Sequence, residues 1–588
     1  MATPKSNASM SNLEANNKNK SEDMESQSSF APTPEAESEN ESSSDSQHKK
    51  GIDGSTSKES ELKEIEKATT STGATTPSAP AFDFVKAAED LLADAKKLKA
   101  TIDSKPTPPS SSPESAKPND ANQHAPLPPS PEEIVLRQRI AKLGKKIAFE
   151  TAPPMEVLKS DWVTIADVSA WNIFLHWRAF DHIPLTGSIS IADLARALDA
   201  DESLVSRIAC MLISTGKLTG SRLDGKEQGP PTHISHSRIS RLLRTNTSPA
   251  TAALAIVSFG NGMKGFAKWP EYFSTYDRHE PHPTGREILI HDSGTGIVVT
   301  TKRRGAQDSN KIFVPTPFSL GWGHPALAPW EVKARYPEYA RHFEMAMAAK
   351  DKGAQGALGG DLGVGGYRGV NVEDPGRKFS LTWLAELSQK KQQQQQHILG
   401  YTNPSLKPLL VDVGGGLGHF LANLLANIPE VKPEQCILQD RPEVIAQVAK
   451  NIEGGDKRLK GVKTMAHDFF QAQPEEAKGA AVYVLRRVLL DYCDEQAVWI
   501  LKRLRCALHG SEGRIVIMEG VLLDKPTPEN RLVDMVMMNL GGKLRNEEGY
   551  RKLCMKAGLK VRGYWMDVEG ASCVVECVEG DGTDGSEE

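Results

Sequence analysis

Apolar residues recur along this chain in two periods, one helical and one strand-like, and between those stretches the sequence is polar. Residues 1 to 80 hold a single aromatic, Phe30, among Ser, Glu, Asn and Lys. Such a segment cannot bury enough apolar surface to offset the entropy of ordering its backbone, so disorder is expected there. Val85, Ala88, Leu92, Ala95 and Ile102 then come near helical spacing and predict one amphipathic helix between Phe82 and Asp103. Nine prolines from Pro106 to Pro131 enforce an extended linker, and folded protein is expected from residue 132.

From Glu132 to about Arg244 the pattern is helical. Trp171, Phe174, Leu175, Arg178 and Ala179 mark one helix, and Ile191 to Leu198 a second with Asp193 in its first turn. Asp201 or Ser203 can cap a third that ends at Gly216, followed by short strands at Lys217 to Thr219 and His233 to Ser235. This is the layout of a winged helix-turn-helix. Its presumptive recognition helix carries one cation, Arg207, whereas a helix that reads base edges needs several Arg, Lys, Asn or Gln side chains. Residues 188 to 244 hold eight Lys or Arg against six Asp or Glu. A packing or dimerising role is therefore expected, and nucleic-acid binding is not.

A polar stretch from about 280 to 312 reads as a loop. Packing resumes between Pro315 and Met347 through Phe318, Trp322, Trp330, Tyr336, Tyr339 and Phe343. The Gly-rich run from Gly353 to Gly369 is followed by no Lys-Ser or Lys-Thr and preceded by no apolar strand, so it is read as a flexible insertion, together with the run Gln392 to Gln396.

The stretch from 409 to 428, LLVDVGGGLGHFLANLLANI, passes from a short apolar run through a glycine cluster into helical spacing at Phe420, Leu421, Leu424, Leu425 and Ile428. Strand, glycine turn and helix in that order build the phosphate or nucleotide crevice of an open α/β sheet, because glycines let backbone approach a ligand closely. A dinucleotide fingerprint requires a third glycine where this chain has His419, so NAD is disfavoured. Further apolar runs end in polar groups: Cys436 to Leu438 leads to Asp440, Lys463 to Met465 to Asp468 and Phe469, Ala481 to Leu485 to Arg486, and Ile515 to Met518 to Glu519. Polar chemistry is thereby expected along one edge of one sheet. Asp440, about 20 residues past the glycines, can accept from two ribose hydroxyls, and Asp468 with Phe469 suits an adenine.

Composition adds limits. The chain has 588 residues, 38% hydrophobic and 25% charged, a thin average core that unfolded segments would explain. A net charge of −5 sets up no field that draws in nucleic acid or an anionic membrane. Seven scattered cysteines contain no CxxC pair, so neither a disulfide scaffold nor a metal site is expected, and a reducing, cytoplasmic setting fits. Cys573 and Cys577 read as buried thiols on a terminal strand. The first residues lack the apolar run of a signal peptide, and no run of about 18 apolar residues follows.

The segments VDVGGGLGH, LQDRPEVI, HDFF, YVLRRVLLDYCDEQAVWILKRL and GGKLRNEEGYRKLCMKAGL resemble, in order and spacing, the plant caffeic-acid type O-methyltransferases and their fungal relatives. The resemblance covers residues 380 to 578 closely and 140 to 350 more loosely. It implies an α/β, Rossmann-like methyltransferase sheet preceded by an all-α winged-helix dimerisation domain. The expected layout is a disordered tail and linker over 1–131, a winged-helix and substrate-lining region over 132–350, an insertion over 351–400, the S-adenosylmethionine-binding domain over 401–579, and an acidic tail over 580–588. The resemblance assigns Gly414, Gly416 and Gly418 to the methionine end of S-adenosylmethionine, Asp440 to its ribose, and Asp468 and Phe469 to its adenine. Arg486 stands where the family has a lysine near the cofactor. The implied protein is a homodimer acting on a hydroxyl of an aromatic secondary metabolite, with no membrane and no nucleic-acid partner.

At the catalytic positions the chain departs from that pattern. The family's base histidine corresponds to Leu490, and of the two carboxylates that orient it, Glu519 is present and the other is Leu544. Losing the imidazole and one carboxylate together avoids a buried charge without a partner. His419, His467 and Cys493 are nearby alternatives for a base. Three functions stay open on sequence: an O-methyltransferase with weakened or relocated base catalysis, a non-methylating catalyst that retains the cofactor, and a regulatory pseudo-methyltransferase.

Overall fold

The computed structural model describes residues 82–104, 130–223, 229–275, 278–283, 289–291, 298–300, 314–356, 370–371, 379–397, 407–508, 513–525, 527–566 and 572–580. The tail expected over 1 to 80, the linker up to residue 129, most of the loop over 280 to 312, the Gly-rich run after residue 356 and the acidic tail from 581 lie outside them. Two compact units are present, Met1–Glu150 and Thr151–Glu588.

In the first unit, helix Phe84–Asp103 begins at Asp83, whose carboxylate accepts from Lys86 N at 2.9 Å. The apolar stripe predicted for it is outward: Val85, Leu92 and Ile102 are exposed, while Ala87 and Asp94 are buried. Asp94 is held by Arg139 of helix Pro131–Thr151 at 3.1 Å.

The second unit opens with helix Pro154–His176. The sequence pattern carried this helix on to Ala179, but Arg178 takes a left-handed φ of 56° and a separate short helix, Ala179–His182, follows. Tertiary bonds force the break. The Asp181 carboxylate accepts from Arg178 Nε at 3.1 Å and from Thr245 N at 2.8 Å, and the turn packs Phe180 against Phe174. Helices Ile191–Leu198 and Glu202–Ser214 follow, the latter capped by Asp201 rather than Ser203. Strands β1 (Ile189–Ser190), β2 (Leu218–Ser221) and β3 (His233–His236) form an antiparallel sheet in the order β1-β3-β2. Val205, Ala209 and Leu212 of the second of these helices are fully buried against Leu194, Leu218 and Ile234. The apolar composition that argued against groove reading is thus spent on the core.

A helical layer follows from Pro249 to Gly356, with a short hairpin of β4 (Leu289–His291) and β5 (Val298–Thr300). Helix Pro317–Gly321 crosses helix Met263–Ala267 so closely that a Cβ on Gly321 would lie 2.4 Å from the Lys264 carbonyl oxygen. Phe318, Trp322, Tyr336, Tyr339 and Phe343 meet in one cluster, as their spacing predicted.

The glutamine run is a correction to the sequence reading. Residues 392 to 396 lie within helix Trp383–His397 rather than in a flexible insertion. Glutamine is a good helix former, and the first turn of this helix is anchored by fully buried Leu384 beside Leu381 and Phe379.

The main sheet has strands β6 (Val370–Asn371), β7 (Leu410–Val413), β8 (Cys436–Asp440), β9 (Lys463–Ala466), β10 (Val482–Arg486), β11 (Arg514–Gly520), β12 (Leu559–Met566) and β13 (Ser572–Glu579). Its order is β6-β12-β13-β11-β10-β7-β8-β9. Strands β9, β8, β7, β10 and β11 are parallel, β13 runs antiparallel to β11, and β12, antiparallel to β13, shares the direction of the five. Both faces are covered, with Val411, Val413, Tyr483 and Ile517 in one core and Leu410, Leu438, Val484 and Met518 in the other. The chain leaves β7 toward β8 and β9 on one side, then returns to β10 and β11 on the other. The reversal between β7 and β10 places the crevice of an open α/β sheet at the carboxyl ends of those strands. Cys573 and Cys577 are buried thiols on β13, as their spacing suggested. Among the described residues no helix is long and apolar enough to cross a membrane.

Candidate active site

The glycine turn leaves β7 with Gly414, Gly416 and Gly418 all at positive φ, a conformation that side chains with a Cβ avoid. Gly414 N and Gly415 N donate to the Gln439 carbonyl at 2.9 and 3.1 Å, which ties the turn to β8. Two of its glycines are closed in by protein. A Cβ on Gly415 would lie 2.5 Å from Asp412 Oδ2, and one on Gly418 2.5 Å from Leu459. Gly416 differs, because a Cβ there meets nothing within 4 Å. Its N–H donates to Asp440 Oδ2 at 2.8 Å, and Arg441 N donates to the other oxygen at 2.7 Å. Asp440 therefore stands fixed at the end of β8 with one backbone donor per oxygen and lone pairs to spare, though burial raises its pKa above the ordinary carboxylate value.

Asp412, read from sequence only as the first letter of the glycine motif, is fully buried and neither of its carboxyl oxygens has a partner. Desolvation pushes its pKa up to about 7, opposed by Arg486 at the end of β10. A buried carboxylate in this condition calls for a cationic partner, and an amino acid's ammonium group would supply one.

The far wall is aromatic. Phe469 lies near the turn, since a Cβ on Gly414 would come 3.5 Å from its ring. Phe469 and Phe470 both meet Tyr492 edge-on, with centroids 5.8 and 5.5 Å apart. Asp468 is exposed, and its carboxylate accepts from Phe470 N at 3.0 Å within its own turn. The Trp330 side chain lies near the Tyr492 hydroxyl. Arg441 Nη1 donates to the Trp330 carbonyl at 3.2 Å, which fastens helix Pro329–Arg335 beside Asp440. Lys333 of that helix is buried over the Phe343 ring, and desolvation pushes its pKa down to about 8. Trp330 and Lys333 were read from sequence as packing residues or not at all, because nothing local to them shows that their helix closes over a strand end some hundred residues later.

The third group lies past β10. Leu490 sits in the 3-10 turn Leu489–Asp491 and is buried, as is Leu544. Arg545 holds this turn from behind. Its guanidinium donates to the Leu489 carbonyl at 3.0 Å, the Tyr492 carbonyl at 2.8 Å and Asp494 Oδ1 at 2.8 Å. Sequence reading passed over Arg545, although its place directly after the substituted Leu544 was a signal. Glu519 is 2% exposed, and its Oε1 accepts from Val488 N at 2.9 Å and Leu489 N at 2.7 Å, while Oε2 has no partner. Desolvation pushes its pKa up to about 8.

Of the other candidate bases, Cys493 is a buried thiol pushed up to about 12 and stays protonated at neutral pH. His419 opens helix His419–Asn427 and interacts with Asp456, and His467 has its pKa lowered by burial. No group of His, Cys, Asp and Glu suited to a metal ion occurs among the described residues.

The Glu519 carboxyl makes stability depend on pH. Between its ordinary value of 4.5 and about 8, the folded chain binds a proton that the unfolded chain has lost. Stability attributable to this group therefore falls as pH rises through that window, by about 1.4 kcal/mol per pH unit, and levels off above it. Glu519→Gln keeps a carbonyl oxygen for the two N–H donors and removes the ionisation. The variant is expected to melt at a higher temperature than the parent at pH 8.5, and the gain should shrink steadily toward pH 5 in calorimetric scans. A gain that does not vary with pH would refute a protonated Glu519.

The residues present fit a ligand carrying an ammonium group, vicinal hydroxyls and a flat ring. Asp412, Asp440 and the Phe469 and Tyr492 aromatics answer to these in turn, and the space beside Gly416 is open.

Comparison with known proteins agrees. Residues 363–560 match the model of the O-methyltransferase domain. Methyltransferase cfoD of Aspergillus candidus is 29% identical over 445 residues, 75% of this chain and 92% of that protein. The structure of OxaC in complex with sinefungin and meleagrin superposes with a TM-score of 0.58 at 16% identity, covering 85% of this chain and 100% of the other. A structure described as a pericyclic reaction enzyme and one of LepI in complex with SAM each give a TM-score of 0.53 at 18% identity, covering 84% of this chain and 100% and 99% of theirs. At these identities the structural likenesses speak to the fold.

Proposed function

We propose that this chain, whose residues 363–560 match the O-methyltransferase domain, transfers the methyl group of S-adenosylmethionine to a hydroxyl of an aromatic secondary metabolite, without a base histidine. One observation carries the reading: the glycine turn, the unpartnered Asp412 and the doubly anchored Asp440 sit together at the switch point of the sheet. Asp440 would hold the ribose hydroxyls, Asp412 the ammonium, and the Phe469 side of the pocket the adenine, with Gly414, Gly416 and Gly418 along the methionine end and Asp468 and Arg486 at its rim. The bound cofactor would supply an electrophilic methyl group. The chain's own residues would orient the acceptor hydroxyl and keep water away, with Leu490 and Leu544 making that surface apolar. An acceptor acidic enough to ionise without an imidazole suits such a site.

The layout proposed from sequence, with a winged-helix and substrate-lining region over 132–350 and a cofactor domain over 401–579, goes with a homodimer. Met155, Leu158, Trp162 and Ile165 leave the first half of helix Pro154–His176 with an exposed apolar surface, which supports that assembly. Cysteines present as thiols rather than disulfides suit a cytoplasmic location.

The test is calorimetric titration with S-adenosylmethionine alongside a methyl-transfer assay on a panel of phenols, with sedimentation velocity giving the mass. Binding with transfer by a dimer is expected. A protein that fails to bind at millimolar cofactor would refute the reading, and a monomer would refute the assembly. A second reading, a non-methylating catalyst or regulatory protein that keeps the cofactor, is favoured by one observation: leucines stand at both the base position and one of its carboxylate supports. Cofactor binding without transfer to any phenol would select it.

A further inference from the structure

The turn that carries Leu490 carries a second group with the right chemistry. Asp491 is the next residue, half-buried, on the same 3-10 turn, and Arg545 holds the backbone carbonyls on both sides of it. Its carboxylate interacts electrostatically with three groups on three different segments: the Tyr339 phenol of helix Pro337–Gly356, the neighbouring Tyr492, and Glu519 of β11. These are the elements that close around the end of β10. Glu519 lies beneath the turn, more than nine-tenths buried, with Oε2 unpartnered.

The two carboxyls have unlike surroundings. Glu519 is deep, desolvated and set against the charge of its neighbour, which favours its protonated form. Asp491 is nearer solvent. Pairs of acids whose environments separate their ionisation divide the work of holding and accepting protons.

We propose that Asp491 is the proton acceptor of this site, in place of the missing histidine. This rests on the methyl-transfer reading. In the step, the acceptor O–H bond breaks and its proton passes to an Asp491 oxygen. The hydroxyl oxygen gains the methyl group, the sulfonium ends as a neutral thioether, and Asp491 returns the proton to solvent. Charge balances, since one positive charge is lost at sulfur and one proton is released.

The experiment compares the parent, Asp491→Asn and Asp491→Glu on two acceptors at about pH 8: a simple phenol, protonated there because its pKa is near 10, and 4-nitrophenol, already largely ionised. Asp491→Asn should lose about 10²-fold or more in kcat/KM for the phenol and only a few-fold for the nitrophenol, and Asp491→Glu should recover part of the loss. Damage to folding or to cofactor binding would lower both acceptors alike.

A second readout needs no cofactor. Absorbance titration of bound 4-nitrophenol should show a lower pKa in Asp491→Asn than in the parent, by about one unit, because a nearby carboxylate opposes the phenolate. An unchanged dye pKa, or equal losses on the two acceptors, would overturn the role of Asp491 and leave the methyl-transfer reading standing. No transfer by the parent to either acceptor would overturn that reading and the acceptor role with it.

Discussion

Asp440→Ala is expected to abolish S-adenosylmethionine binding, with affinity falling about 10²- to 10⁴-fold in calorimetric titration. Each charge-assisted hydrogen bond from a ribose hydroxyl contributes about 1.5–3 kcal/mol, and two are lost together. The substitution also removes the acceptor of Gly416 N and Arg441 N, so the glycine turn loses its side-chain tie to the end of β8 and keeps only the backbone bonds to Gln439. Asp468→Ala offers the contrast, because that carboxylate is exposed and bonds within its own turn. Its effect should stay within about ten-fold. If Asp440→Ala bound cofactor as tightly as the parent, the site would have to lie elsewhere on the sheet.

The second large effect is a gain. Leu490→His combined with Leu544→Glu is expected to raise transfer to an unactivated phenol by about 10-fold or more, because an imidazole is a stronger base than the Asp491 carboxylate proposed for the parent. The structure supplies the reason for pairing the changes. Glu519 already spends Oε1 on Val488 N and Leu489 N and has Oε2 without a partner, directly beneath the turn that bears position 490. An imidazole there would give Oε2 a donor, and an ionised Glu519 would in turn stabilise the imidazolium. Leu544→Glu alone buries a second carboxyl with no such partner and should destabilise the fold by roughly 1–3 kcal/mol, visible as a lower melting temperature. The double variant should recover that loss, so the two effects will not add. Transfer no faster than in the parent would show that proton removal does not limit this protein.

The proposed catalytic departure was legible in sequence because it falls inside a stretch of recognisable spacing. By resemblance, VLRRVLLDYCD sets Leu490 against the base position and GGKLR sets Leu544 against its support. What followed from those substitutions was not visible. A leucine in a strand-end turn looks the same in sequence whether the carboxylate below it is paired or orphaned. The orphaned Oε2 of Glu519 comes from the packing of β11 against the turn, and so does its protonation.

Sequence by itself determined the parts that depend on local period and on glycine. These are the strand, turn and helix at 409 to 428, the polar ends of successive strands, and the winged-helix pattern whose apolar recognition helix faces inward. Each is settled by residues within a few positions, where side-chain period and the steric freedom of glycine act directly. The tertiary structure alone decided what depends on distant segments meeting. It broke the helix at Arg178 through the bonds of Asp181 to Thr245, and it carried the glutamine run into a helix anchored by Leu384. It brought Trp330 and Lys333 beside Asp440, set Arg545 behind the turn Leu489–Asp491, and placed Asp491 near Tyr339 and Glu519. Desolvation and long-range charge are properties of the assembled site, and no window of sequence contains them.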